Sequence, residues 1–213
     1  MRCSRRQKIL AERCDHQPFI AKAPLVLVFT ADFQIWRTLF DAEGIKTDPV
    51  FEANLFLAMQ DCIIAAQNAV VAAQSLGIGS CYIGDILENY EANWELLHLS
   101  KYSVPCVMLV MGHLTEQQKA RRKPARLSIG DIVSVDTYPK PDADSAGDGL
   151  RRLMEKEVED APEGRRILNR GTVEITDSAV DARILDTANR KFRSDFHREM
   201  QRSVKKILES WCE

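Results

Sequence analysis

Two segments carry residues whose types and spacing suit a bound ligand. Lys119-Ala120-Arg121-Arg122-Lys123-Pro124-Ala125-Arg126 places five cations in eight positions. Lys123 and Arg126 flank a proline that stiffens the chain, and the planar arginine fork suits phosphate oxygens. A solvated loop accounts for the same charges equally well. The second segment is Leu76-Gly77-Ile78-Gly79-Ser80-Cys81-Tyr82-Ile83-Gly84. Gly77 reads as a helix C-cap, whereas Gly79 and Gly84 leave bare backbone on both sides of Tyr82-Ile83. Bare backbone admits a flat ring closely and leaves N–H groups free for its heteroatoms. Ordinary turns are the competing reading. A dinucleotide loop runs from strand into helix; here the helix comes first. The glycines also fail G-x-G-x-x-G, and no Lys-Ser/Thr pair follows to make a P-loop.

Other chemistries find little support. His16, His98, His113 and His197 lie far apart without a Cys or His at ligand spacing, so no metal site is expected. The cysteines (Cys3, Cys14, Cys62, Cys81, Cys106, Cys212) form no C-x-x-C pair and read as reduced, small hydrophobes. Cys81, entering a strand, reads as packed rather than nucleophilic. No catalytic side chain is assigned. A formal charge of -2 gives no reason to expect nucleic acid or an acidic membrane as partner. The basic Met1–Lys8 lacks the apolar stretch of a signal peptide. The apolar runs near Leu25–Phe29 and Val104–Met111 are too short to span a bilayer. A cytoplasmic location is expected.

The elements that must position these segments follow from periodicity. Residues 7–22 suggest one amphipathic helix, and Leu25–Thr30 and Val104–Gly112 suggest buried strands. Short helices are expected over Phe33–Phe40 and Leu87–Leu97. Phe51–Ser75 is apolar or small on every face except Glu52 and Asp61, which predicts a helix buried in the core or against a partner subunit. Its length favours a homodimer. The C-terminal stripe Val180, Ile184, Ala188, Phe192, Phe196, Met200, Val204, Leu208 drifts too far around one helix. A break at Ser194-Asp195 is expected, with a last helix docked by Phe196, Met200, Val204, Ile207 and Trp211. Residues 1–135 are expected to form the core and 136–149 a linker, of which Pro139–Gly149 is the clearest part. A second break is expected at Ala161–Gly164. Residues 150–213 read as a helical extension packing on the core or on the partner.

Several ordered motifs resemble the FMN-dependent nitroreductase family. They are Gln17-Pro18-Phe19-Ile20-Ala21-Lys22-Ala23-Pro24, the helix ending Ala72-Ala73-Gln74-Ser75 with the glycine segment, Val110-Met111-Gly112, and Lys123-Pro124-Ala125-Arg126-Leu127. Arg190-Lys191-Phe192-Arg193-Ser194-Asp195-Phe196, with Glu199-Met200 and Arg202-Ser203, is similar to the tail of one bacterial branch. The likeness runs over residues 8–135 and 186–211. It implies an α+β fold, a mixed sheet flanked by helices, in an intertwined homodimer with a long central helix at its axis. It implies FMN at the subunit interface, ringed by the backbone of Tyr82, Ile83 and Gly84, with Lys123 and Arg126 on its phosphate. The Lys-to-Arg spacing is wider than the family's common Lys-x-Arg. The implied activity passes hydride from NAD(P)H through FMN to a nitroaromatic or quinone acceptor. Family members carry a further segment, with an Arg-Ser-x-Arg phosphate clamp, before the part that matches Lys8–Pro24. Either the true start lies upstream of Met1 or this is a shortened form, which would bind FMN more weakly; the alternative function is a non-catalytic dimer serving interaction or weak flavin binding.

Overall fold

The computed structural model describes residues 5–138, 147–160 and 179–212. Most of the expected linker and the expected break at Ala161–Gly164 lie outside these described residues. The chain forms two compact units, one from residues 1–119 with 198–213 and the other from residues 120–197.

The first unit is built on a three-stranded sheet of order β1-β3-β2, with β1 Leu25–Asp32, β2 Gly79–Ile83 and β3 Ser103–Gly112. Central β3 is buried along nearly its whole length. That burial explains why it reads as a continuous apolar run instead of an alternating one: helices cover both faces. On one face, α1 (Arg5–Arg13) and α2 (Pro18–Lys22) bring Leu10, Cys14 and Ile20 against Met108 and Val110. On the other, α4 (Glu52–Ser75) brings Ala66 and Ala73 against Val107, Leu109 and Met111. The α+β class holds. Both strand pairs are antiparallel, and among the described residues no parallel neighbour joins the outer edges of β1 or β2 to make the sheet mixed.

The expected helix over 7–22 is two helices. Asp15 and His16 take left-handed backbone, φ 53° and 51°, and turn the chain between them. After α3 (Gln34–Ala42) and α4, a 3-10 turn at Gly84–Leu87 precedes α5 (Tyr90–Leu97), so the expected helix over 87–97 starts three residues late. Asn89, at φ 48°, separates the two. A short α6 (Glu116–Lys119) follows β3.

Helix α4 has two apolar faces. Leu55, Cys62, Ala66 and Ala73 are buried and fall within about 20° of one line down the helix, taking ~100° per residue. Leu57, Ile64 and Val71 are spaced by heptads on the opposite side and are 57–61% exposed. Phe56 and Ile63 flank them, also half or more exposed. The apolar-all-round pattern therefore reflects one face on the chain's own sheet and one without a partner among the described residues. By length and composition alone α4 could cross a membrane, and it is a longer apolar stretch than either strand run. Its inner face packs on the sheet of its own unit.

The C-terminal break falls where expected, between α9 (Ala179–Phe192) and α10 (Asp195–Cys212). The docking face of α10 is turned from the expected stripe. Ser203, Ile207 and Trp211 are buried, Phe196 and Met200 are half-buried, and Val204 is exposed. Ser203 holds that register because its hydroxyl is spoken for: it accepts the Tyr90 N–H at 3.2 Å and donates to Glu199 at 2.8 Å. Trp211 Nε1 donates to the Phe51 carbonyl at 3.1 Å, joining the end of α10 to the start of α4.

In the second unit, α8 (Asp148–Glu159) packs on α9. Arginine–carboxylate pairs lace it: Arg183 to Glu157 at 2.9 Å and to Asp186 at 3.1 Å, and Arg151 to Asp181 at 3.1 Å. Arg152 of α8 also reaches Asp131 of the short α7 (Ile129–Ile132) at 2.6 Å.

Candidate functional site

The three glycines of the 76–84 segment differ in what their surroundings require. Gly77, at φ 71°, ends α4. Its N–H donates to the Gln74 carbonyl at 3.0 Å and the Ile78 N–H to the Ala73 carbonyl at 2.9 Å. This pair of bonds is the Schellman closure, for which a left-handed residue is required. Gly79 is explained by packing, since a Cβ there would stand 2.5 Å from Cδ2 of Leu114. Leu114, a half-exposed side chain after β3, lies against this position. Gly84 has neither reason. Its φ is ordinary and no atom lies within 4 Å of a Cβ placed on it. No packing among the described residues calls for bare backbone here.

The residues beside Gly84 present an open edge. Strand β2 pairs only with β3, so alternate peptide groups on its outer side have no strand partner among the described residues. Ile83 is 2% exposed and anchors the strand in the core, while Tyr82 is 41% exposed. The Tyr82 hydroxyl donates to Oε1 of Gln67 at 3.1 Å, which ties this edge to the outer flank of α4. Gln17 Nε2 donates to the Asp85 carboxylate and, at 2.9 Å, to the Cys14 carbonyl. Pro24 lies against Gly112, where a Cβ would stand 3.0 Å from the proline Cδ. Three of the separate sequence motifs thus meet around one end of the sheet. A cleft of about 400 Å³ lined by Lys22, Pro24, Ser80, Cys81 and His113 opens beside the first half of β2; Tyr82, Ile83 and Gly84 are not part of its wall. The Cys81 thiol is pushed up by loss of solvation and by the Asp85 carboxylate, the reverse of what a thiolate nucleophile needs.

Lys123 and Arg126 belong to the second unit, in the irregular stretch before α7. Both are exposed, and neither has a hydrogen bond or ion pair among the described residues. Arg121 is likewise exposed and without a partner among the described residues, whereas Arg122 is held by Asp160 at 2.5 Å and Lys119, in the first unit, by Glu116 at 2.7 Å.

Sequence reasoning missed a buried carboxyl next to this edge. Glu88 is 5% exposed and its Oε1 has no partner among the described residues. Burial first, and then the charges of Asp85, Asp15 and Glu199, push its carboxyl up to about 7. The folded chain therefore keeps a proton that an unfolded chain, with an ordinary carboxyl, has lost. Stability falls as pH rises from the ordinary value of 4.5 to about 7. Glu88→Gln should match the wild type in melting temperature at pH 5 and exceed it at pH 8, by on the order of 2 kcal/mol. Parallel pH dependence of the two proteins would refute this. Glu199 is opposite in sign: Arg202, Ser203 and the Asn89 N–H hold it down at about 2 against the opposing effect of burial. The charge of Glu199 on Glu88 and the Asn89 N–H on Glu199 come from groups more than 100 positions away, whereas Asp85, Arg202 and Ser203 act from within four residues.

Comparison with known proteins decides the family. The sequence profile of the Nitroreductase family matches residues 3–113, just over half of the chain. The chain belongs to the nitroreductase family. Among relatives, it is 36% identical over 140 residues to the FMN reductase [NAD(P)H] of Bacillus subtilis (strain 168), covering 64% of this chain and 55% of that one. It is 35% identical over 116 residues to the oxygen-insensitive NADPH nitroreductase of Salmonella typhimurium, covering 53% and 46%. The chain therefore spans about half the length of these relatives. Nitroreductase-fold structures superpose on it. Bacillus megaterium NfrA2 gives a TM-score of 0.72 at 23% identity over 100% of this chain and 78% of that one. The NADPH:FMN oxidoreductase of Vibrio harveyi, solved with NAD+, gives 0.61 at 25% identity over 72% and 64%.

Proposed function

We propose that this nitroreductase-family chain is an NAD(P)H-dependent flavin oxidoreductase that works as a homodimer and reduces nitroaromatic or quinone-like acceptors. The observation that carries the reading is Gly84, a glycine with no structural reason of its own at the end of an exposed edge strand. The residues present fit FMN. In this assignment the backbone of Tyr82, Ile83 and Gly84 approaches the ring, and outward peptide groups of β2 meet its heteroatoms. Lys123 and Arg126, both without ionic partners among the described residues, take the phosphate. When bound, FMN supplies the two-electron relay between NAD(P)H and the acceptor. The chain's own residues bind, orient and exclude solvent; no side-chain acid or base is assigned. The outer stripe of α4, Leu57, Ile64 and Val71, takes a second copy of the chain, and Tyr82 sits beside it through Gln67.

Gly84→Leu tests the assignment cleanly. No atom lies within 4 Å of a Cβ at this position, so folding stability should stay within about 0.5 kcal/mol of wild type. FMN affinity, read by fluorescence titration, should fall at least about tenfold, a loss of ~1.4 kcal/mol. Unchanged affinity in a folded variant would remove Gly84 from the site.

A further inference from the structure

The cleft beside the first half of β2 is built around a pair of glycines. Gly79 of β2 stands directly opposite Gly112 of β3, and residues paired in this way point to the same face of the sheet. With both side chains missing, that face has a bare floor. A Cβ on Gly112 would stand 3.0 Å from Pro24 Cδ, and one on Gly79 would stand 2.5 Å from Leu114 Cδ2. Pro24 and Leu114 therefore close in as apolar walls. Phe19 and Lys22 lie three residues apart on α2, so they share one side of that helix, while Ile20 roots it in the core. Both are exposed, and they line the cleft together with His113. Neither Lys22 nor His113 has a hydrogen bond or ion pair among the described residues. Among the described residues that line the cleft there is no carboxylate. A volume of about 400 Å³ suits one small ligand. Shape favours a flat ring, and charge favours an anion.

We propose that this slot binds a phosphorylated nucleoside, with the base against Phe19 and Leu114 and the phosphate on Lys22 and His113. The lysine ammonium supplies a full charge and three donors, and the imidazole adds a further donor. Bare backbone at Gly79 and Gly112 lets a planar base lie close to the sheet. The slot sits about 13 Å along β2 from Ile83, at the usual rise per residue. Given the flavin reading above, on which this step rests, the riboses and pyrophosphate of a dinucleotide bridge that separation. The slot then holds the adenosine end of the nicotinamide donor. A 2′-phosphate, the group that distinguishes NADPH from NADH, falls on Lys22 and His113. The chain therefore prefers NADPH.

The experiment titrates the full chain, without FMN, with adenosine 2′-phosphate and with adenosine in a calorimeter. The nucleotide should bind at least about tenfold tighter than the nucleoside, the worth of one charge-assisted hydrogen bond. Lys22→Gln should remove most of that difference and leave adenosine affinity unchanged. Lys22 has no partner among the described residues to lose, so the variant should keep the wild-type melting temperature. Phe19→Ala should weaken both ligands alike. NADP+ should displace the nucleotide at least about tenfold more effectively than NAD+. A nucleotide that fails to bind, or whose affinity Lys22→Gln leaves untouched, would overturn the proposal. So would inorganic phosphate competing as well as the nucleotide, which marks a bare anion contact, or NADP+ failing to displace it. No flavin takes part in these titrations, so a negative result leaves the FMN assignment standing. Failure of the chain to bind FMN, with the nucleotide still bound, would sink that assignment and leave this slot in place.

Discussion

Ile64→Asp should yield a folded monomer that no longer binds flavin. Ile64 lies at the centre of the outer α4 stripe with Leu57 and Val71, all exposed in the isolated chain. An aspartate there meets only water in the monomer, so its far-UV spectrum and melting should stay close to wild type. In a dimer across this face the carboxylate would be buried without a partner, typically at 3–5 kcal/mol. A two-fold interface repeats the penalty in both copies, so dimer dissociation should become at least about a thousandfold easier. Light scattering measures the mass directly, and Ile64→Ala is the milder control. A wild-type chain that is already monomeric, or an Ile64→Asp chain that stays dimeric, would contradict the assignment of α4. The flavin result follows from Gln67, which connects Tyr82 to the flank of the same stripe.

Arg126→Ala should cut FMN affinity about 10- to 100-fold while leaving riboflavin affinity unchanged. A charge-assisted bond to phosphate is worth about 1.5–3 kcal/mol, and Arg126 has no other partner among the described residues to retain. Riboflavin lacks the phosphate, so ring contacts alone set its affinity. Lys123→Ala should act in the same direction with a smaller effect, because a hydrated ammonium is a point charge where guanidinium offers a fork. Titrating each variant with both flavins separates the phosphate contribution from the ring contribution. Equal losses for FMN and riboflavin would show that Arg126 supports folding and not phosphate binding.

The main elements were legible because their causes are local. β3 announces itself as an unbroken apolar run, Gly77 as the cap of α4, and Ser194-Asp195 as the break before α10. The α4 pattern was readable as apolar on every side, but which residues face the sheet depends on its angle to β3. Non-local causes stayed hidden. Gly79 is bare because of Leu114, which sits beyond another helix and strand. The face of α10 is set by Ser203 reaching Tyr90, so Val204, an apolar residue at the expected spacing, is left outside. The turn at Asp15-His16 needs left-handed backbone, which Asp and His adopt more readily than most residues without announcing it. The burial of Glu88 depends on tertiary neighbours. Of the residues proposed for the ligand, Tyr82 and Ile83 end β2 and Gly84 opens the turn that follows. Lys123 and Arg126 lie in the second unit, without partners among the described residues.

The most direct test is to purify the chain, add FMN, remove the excess, and expose the complex to NADPH or NADH without oxygen. The account predicts a yellow dimer with stoichiometric FMN whose flavin absorbance bleaches on adding the reduced nicotinamide and returns with a quinone or nitroaromatic. A stable dimer that stays colourless in excess FMN, and oxidises no NAD(P)H, would contradict it.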